Sequence, residues 1–366
     1  MNKKHILIVT SEFPPQPGGI GNHAYYLALY LSKNGYGVSV IADQRDVFNR
    51  EEIAFDAGLP FVVERITLKT QRVFMYFNRV QKTLRYFKQA DYVIATGKFS
   101  LWNVAFCSLF YKRPNMAVIH GSEVNFKSAG NRKAIDTSLK RFDTLVAVSD
   151  YTAQLAGHLE RDIHVIANGI DLKAWEPEGL QKAILQGDPI LTTVGRVSTR
   201  KGQLQVIRLL PEILKTYPNL HYHCVGIPTE AADFKEQAKQ LGVKGHVTFH
   251  GAVSESDLKA MLLATDVFVM LSTESESGDV EGFGIAILEA NAFGVPAIGS
   301  KNCGIEDAIL DGRSGILVDS EDVGTFQRAL QLILDAPDTY RNGAEIWATD
   351  HAWETIIMQY IVHIEG

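Results

Sequence analysis

The chain is short of cysteine, of long apolar runs and of clustered metal ligands. Its 366 residues include three cysteines, Cys107, Cys224 and Cys303. They are odd in number and far apart, so they form neither a disulfide framework nor a metal-binding spacing, and a reducing compartment fits. The longest apolar stretch, residues 99–110, is twelve residues with polar interruptions, whereas a membrane-spanning helix needs about 20. The run at 6–9 is too short for a secretory signal and has no small-residue cleavage site. No recognition module or aromatic platform accompanies the basic residues, so nucleic acid is not an expected partner. What is present is ordinary globular composition, 46% hydrophobic and 21% charged, which excludes disorder, collagen and a disulfide-stapled miniature fold.

At about 150 residues per domain, the length suggests two domains. The formal net charge of −6 hides an asymmetry. Residues 1–170 hold 21 basic and 14 acidic side chains, whereas 171–366 hold 15 and 28. A basic first half and an acidic second half predict domains with different partners.

Residues 5–10 form a β-branched run with no polar face, as in a strand buried in a parallel sheet. A proline- and glycine-rich loop follows at 11–21, then an amphipathic helix at 23–33 stopped by Asn34-Gly35, then a strand at 37–42. This is a βαβ unit. Further strands are predicted at 92–95, 116–119, 144–148 and 164–167. A second series begins at 189, with strands at 190–194, 220–225, 246–249, 267–271, 296–299 and 315–318. The spacing therefore predicts an α/β chain of two doubly wound domains. The first spans 1–170 and the second 189–345, with a polar linker at 171–188 and a final helix within 346–366 returning to the first domain. Such sheets bind ligands beyond the carboxyl ends of their strands.

Four segments fall at those ends. Gly18, Gly19 and Gly21 lie between the first strand and helix, where glycine lets backbone N–H groups approach an anion. Their spacing is not the dinucleotide G-x-G-x-x-G, and only Asp43 stands at a ribose position, which leaves a dehydrogenase little support. His120 and Glu123 follow the strand at 116–119. His120 can donate to a substrate oxygen, and Glu123 can cap the next helix. Arg196 and Lys201 flank a glycine-bounded turn, offering a planar fork and a mobile point charge to a diphosphate. Arg200, between them, reads as a solvated neighbour. Glu281 lies in a loop with Gly282 and Gly284, and Glu289 sits in an otherwise apolar helix, where a carboxylate is costly without a partner.

Glu281, seven intervening residues and Glu289 resemble the E-x7-E signature of retaining GT-B glycosyltransferases. With the Gly18-Gly19 loop, His120-Gly121, Asn168-Gly169, Gly195-Arg196 and Lys201-Gly202, the ordered set resembles glycosyltransferase family 4, the group 1 glycosyl transferases. The resemblance implies a GT-B architecture of two Rossmann-like domains facing a central cleft. It implies a UDP- or GDP-sugar donor and no required metal or other cofactor. Gly18 and Gly19 are implied near the donor, His120 beside its sugar, and Arg196 and Lys201 on its diphosphate. Glu281 and the backbone of Phe283 and Gly284 would hold the sugar hydroxyls, Ile285 would add a backbone contact, Glu289 would bind the ribose and Val253 would frame the base. The catalytic set is then His120, Arg196, Lys201 and Glu281. The acidic stretch 274–280 is longer than in many relatives.

The implied reaction transfers a sugar with retained configuration to a hydroxyl of a glycan or lipid-linked acceptor, in surface-polysaccharide, lipopolysaccharide or glycolipid assembly. A nucleotide-sugar epimerase of similar fold and a non-catalytic nucleotide-sugar binding protein are the alternatives. Residues 66–90 contain no acidic side chain and six basic ones. Val73, Phe77, Val80, Leu84 and Phe87 would share a helical face there, the composition of an interfacial helix. Lys82, Arg85 and Lys88 are the candidate contacts to an acceptor or to an anionic membrane. A cytoplasmic protein, peripheral at the inner face of the plasma membrane, is the resulting expectation.

Overall fold

The structure is a computed structural model that describes residues 3–45, 47–177 and 179–366. It divides into two compact units, Met1–Gly169 with Trp353–Gly366, and Ile170–Ala352.

The first unit alternates strands and helices in chain order: β1 (His5–Thr10), α1 (Gly19–Lys33), β2 (Gly37–Asp43), α2 (Arg50–Ala57), β3 (Val62–Ile66), α3 (Arg72–Phe87), β4 (Tyr92–Thr96), α4 (Lys98–Cys107), β5 (Asn115–Ile119), α5 (Ala129–Leu139), β6 (Thr144–Ala147), α6 (Asp150–Leu155) and β7 (Ile163–Val165). The strands pair in parallel in the order β3-β2-β1-β4-β5-β6-β7. Ile6 to Val9 are each at most 1% exposed. That burial on both faces explains why the segment carries no polar alternation.

The second unit repeats the plan with β8 (Ile190–Val194), α7 (Gln203–Ile213), β9 (His221–Val225), α8 (Ala231–Gln240), β10 (Val247–Gly251), α9 (Glu255–Leu263), β11 (Val267–Met270), α10 (Ile285–Asn291), β12 (Ala297–Ser300), β13 (Gly315–Val318), α11 (Val323–Asp335) and α12 (Pro337–Asp350). Its parallel order is β10-β9-β8-β11-β12-β13. In both sheets the order reverses beside the first strand, between β1 and β4 and between β8 and β11, which is the doubly wound arrangement.

Three boundaries differ from the sequence reading. Residues 171–188 are not a free linker. Ala183 N–H donates to Ala260 O at 2.9 Å, Asp188 N–H to Asn219 O at 2.9 Å, and the Gln186 carbonyl contacts His223 Nε2 at 2.9 Å. These bonds satisfy backbone groups that a polar composition cannot reveal, and they tie the segment into the second unit. Next, the expected terminal helix is two. α12 ends at Asp350 and belongs to the second unit, and α13 (Trp353–Glu365) belongs to the first. Finally, α1 begins at Gly19 rather than His23, so Gly19 and Gly21 lie in its first turn.

The last helix is anchored by aromatic packing. Trp353 is 1% exposed and stacks on Tyr26 and Tyr30, each at 6.0 Å between ring centroids. Tyr36 donates to Glu365 at 2.6 Å, and Tyr360 lies wholly buried against α1 through His23. Trp353→Ala should lower the unfolding free energy of the first unit by roughly 3–5 kcal/mol, the usual cost of emptying a buried indole site. Urea denaturation of the variant measures it.

Candidate active site

In the second unit, the loops after β8 and β11 flank the point where strand order reverses. This is the crevice where doubly wound sheets take ligands. The first loop carries Arg196, Arg200 and Lys201, and the second carries Glu281. Gly202 brings them together. It has φ +79°, and a Cβ there would lie 1.9 Å from the Leu271 carbonyl oxygen, so only glycine allows so close a backbone approach.

Lys201 Nζ lies 2.8 Å from Glu281 Oε2, and an Arg200 Nη1 hydrogen bond reaches the same oxygen. Burial pushes the Glu281 carboxyl upward, but Lys201 and Arg200 outweigh it and hold the group below its ordinary range. Arg200 is therefore not the solvated neighbour that sequence spacing suggested. Its side chain is 29% exposed and committed to Glu281. Arg196 is exposed and has no ion-pair partner among the described residues.

Glu289 sits on α10, partly buried among apolar neighbours. Burial drives its carboxyl up to about 7, against the pull of Lys201 and with a small push from Glu255. Gly284 caps α10 just before its first residue, in the left-handed region at φ +88°, and Phe283 is buried beside it. α10 has seven residues, so its dipole is short, and most positive charge at this edge comes from side chains. Val253 is partly exposed in the loop after β10, and Ile285 opens the helix. The acidic stretch 274–280 folds on itself: Ser275 N–H donates to Asp279 O at 3.0 Å and Asp279 N–H to Ser275 Oγ at 2.9 Å.

In the first unit, His120 follows β5 at the corresponding edge. Its Nε2 is 2.7 Å from Thr96 Oγ1, and burial depresses the imidazole to about 3, so it is neutral at physiological pH. Its backbone N–H donates to Glu123 Oε1 at 2.6 Å. Glu123 thus braces the turn rather than facing outward, and burial raises its carboxyl to about 7. Two further residues, which the sequence reading placed on helices but not at the site, support the ring. His23 packs edge-on against His120 at 4.9 Å between centroids, and His23 Nε2 meets Tyr360 Oη at 3.0 Å. His23 is buried, which holds its imidazole well below the ordinary value, with His120 adding to the effect. The pairing spans 337 residues of sequence, so no local signal reveals it.

Gly19 is exposed, with nothing within 4 Å of a Cβ built there, so its backbone is open to approach. At Gly18 a Cβ would meet Glu12 Oε2 at 2.5 Å. Asp43 is occupied by Arg79, whose Nε donates to Oδ1 at 3.1 Å. It is not available to a ribose, which removes the last support for a dehydrogenase. No group of three or more histidine, cysteine or carboxylate side chains positioned for a metal occurs among the described residues.

The basic segment forms α3, but its apolar residues divide. Phe87 is buried, with Val80 and Leu84 packed on the core, whereas Val73 and Phe77 are 75% and 70% exposed. Lys82 is paired with Glu64 and donates to Arg65 O at 3.0 Å. Arg85 and Lys88 are exposed, with Lys88 Nζ 5.2 Å from the Tyr111 ring centroid. No helix among the described residues is long and apolar enough to cross a membrane.

Two family models account for nearly the whole chain. Glycosyltransferase Family 4 matches residues 17–174, and Glycosyl transferases group 1 matches residues 179–346. The chain belongs to glycosyltransferase family 4. It is 28% identical over 380 residues to a GDP-mannose-dependent alpha-(1-6)-phosphatidylinositol monomannoside mannosyltransferase of Mycolicibacterium smegmatis, covering 96% of this chain and 95% of that protein. Two solved structures share its GT-B fold. A glycosyltransferase from Rickettsia africae superposes with a TM-score of 0.80 at 18% identity, covering 100% of this chain and 98% of the other. Anabaena HepE, in complex with UDP and glucose, superposes with a TM-score of 0.79 at 19% identity, covering 99% of each chain. As a member of family 4, the protein is a glycosyltransferase.

The raised Glu289 carboxyl has a stability consequence for this family 4 enzyme. Its folded value lies above the unfolded one of about 4.3, so the folded state binds the proton more tightly. The associated stability is complete below the unfolded value and is lost as pH rises through about 7. Glu289→Gln should therefore raise the melting temperature of the donor-free enzyme more at pH 8 than at pH 5. Thermal unfolding at the two pH values checks the sign.

Proposed function

We propose that this enzyme is a retaining hexosyl- or N-acetylhexosaminyltransferase. It moves the sugar of a UDP- or GDP-sugar to a hydroxyl of a glycan or lipid-linked acceptor, in the assembly of cell-surface polysaccharide or glycolipid. The observation that carries the reading is the pairing of Lys201 with Glu281 beside the reversal of strand order in the second unit, with Arg196 on the same loop after β8. The GDP-mannose-dependent, lipid-directed mycolicibacterial relative supports both the donor and the acceptor class.

In this reading Arg196 and Lys201 take the diphosphate, and no divalent metal is required. Glu281 and the backbone of Phe283 and Gly284 hold the sugar hydroxyls. Ile285 adds a backbone contact, Glu289 accepts from the ribose and Val253 frames the base. Gly18 and Gly19 leave room near the donor, and His120, neutral and braced from behind, donates to the sugar. Glu281 is engaged with two cations, which is unlike a glycosidase nucleophile standing free at the anomeric carbon. A front-face substitution follows. The bond from the anomeric carbon to the diphosphate oxygen breaks as the acceptor oxygen attacks from the same side. The departing diphosphate takes the acceptor proton, while Arg196 and Lys201 stabilise its growing charge.

A panel of UDP- and GDP-sugars with lipid-linked and soluble acceptors, assayed in chelator, tests the reading. Transfer with retained anomeric configuration is expected. Arg196→Ala and Lys201→Ala should each lower kcat roughly 100-fold or more with melting temperature nearly unchanged. Interconversion of donors without transfer would indicate an epimerase, and binding without turnover a sensor.

The finer location is an anionic membrane surface reached by α3. Val73, Phe74, Tyr76 and Phe77 present exposed apolar area beside exposed basic residues on the same helix, the pairing of forces that holds interfacial helices. Each basic side chain near an anionic surface contributes about 1 kcal/mol. Arg85→Ala with Lys88→Ala should weaken sedimentation with phosphatidylglycerol vesicles by about tenfold or more. Lys82→Ala should change it little, because Glu64 already engages that ammonium.

A further inference from the structure

We propose that Arg200 is a positioning residue of the transfer reaction, keeping Glu281 ionised and aimed when a donor diphosphate draws Lys201 away. The inference rests on the transferase reading above. It starts from a redundancy: two cations from one short turn, Thr199–Lys201, reach the same carboxylate oxygen. One carboxylate needs one counter-charge. The second becomes useful only when another anion arrives.

The charges at this edge balance accordingly. Arg196, Arg200 and Lys201 supply three positive charges, and Glu281 removes one. Two remain, matching the two negative charges on the diphosphate diester of a nucleotide sugar. Without Arg200, Lys201 would have to serve both the phosphate and the carboxylate. The two side chains suit different tasks. Lysine is a mobile point charge that can turn to a new anion, whereas the planar guanidinium keeps a fixed orientation. Arg200 is also held from behind. Thr273 N–H donates to the Arg200 carbonyl at 3.2 Å, and Thr273 Oγ1 donates to the Thr199 carbonyl at 3.2 Å. Thr273 belongs to the segment leading from β11 to Glu281, so the turn and the carboxylate share one support. The Glu281 carbonyl in turn accepts from Gly304 N–H at 3.1 Å.

Among the described residues, Arg200 and Lys201 are the two cations paired with Glu281. Cys303, after β12, carries a thiol that burial raises, so it is neutral. Glu289 on α10 acts on the same Lys201 and competes for it. Loss of Arg200 therefore leaves Glu281 dependent on a lysine that two other anions claim.

The test compares Arg200→Ala, Arg200→Gln and Arg200→Lys with the wild type. It reads kcat and KM for the donor from pH 5 to pH 8.5, nucleoside diphosphate affinity by calorimetry, and melting temperature. Arg200→Ala and Arg200→Gln should lower kcat about tenfold or more while nucleoside diphosphate affinity changes less than about threefold. Their acid limb of kcat should move to higher pH, because Glu281 gains a proton more easily. Arg200→Lys should restore most of the rate and the wild-type acid limb. Rates and profiles superposing on the wild type overturn the assignment, as does a pH-independent loss that lysine fails to rescue. A wild type that transfers from no donor would instead remove the underlying transferase reading.

Discussion

A parallel sheet buried on both faces has room for charged chemistry only at its strand ends. Both sheets here obey that constraint. β5 and β11 are apolar nearly throughout, His120 follows β5 directly, and Glu281 lies in the loop beyond β11. The carboxyl ends matter more than the amino ends because strand order reverses there, leaving adjacent loops to diverge on either side of a crevice. Arg200, Lys201 and Glu281 meet because β8 and β11 are neighbours on opposite sides of that reversal. Their separation along the chain is irrelevant to this, and Gly202 sets the final approach.

The Glu281 carboxylate then organises the electrostatics. Desolvation alone would favour its protonated form, yet two cations reverse the balance. Among the described residues Glu289 has no such ion pair, and it moves the other way. Two carboxylates from one sequence signature thus have opposite protonation tendencies, set by which side chain reaches a cation. The E-x7-E spacing fixes where they lie on loop and helix but carries no information about this difference. It depends on Lys201 and Arg200, whose turn is held by Thr273, more than seventy residues downstream, through the Thr199 and Arg200 carbonyls.

What the sequence made legible follows the range of the forces involved. Strands with β-branched apolar runs and helices with stop signals are local, and β13 falls where its pattern predicts. Motifs at strand ends are also local, so His120, Lys201 and Glu281 could be named. β3 was missed because it is a partly exposed strand with Glu64 and Arg65 inside it. The support of His120 by His23 and Tyr360, the pairing of Lys82 with Glu64, and the incorporation of 171–188 into the second unit all arise from tertiary contacts. An α3 face drawn from periodicity alone likewise joined Phe87, which is buried, to Phe77, which is not.

The charge asymmetry takes a different form once the units replace the linear halves. Moving Trp353–Gly366 to the first unit transfers Glu354 and Glu365 with it. The first unit then has 21 basic and 16 acidic side chains, and the second has 15 and 26. The acidic excess of the second unit remains large and works against an anionic donor at long range. Solvent and salt largely screen such terms beyond about 10 Å, whereas partly buried pairs are screened much less. The partly buried pairs of Lys201 and Arg200 with Glu281 are therefore kept on an otherwise acidic domain. The same reasoning makes each of those cations more important than it would be on a basic surface, where neighbours could replace it.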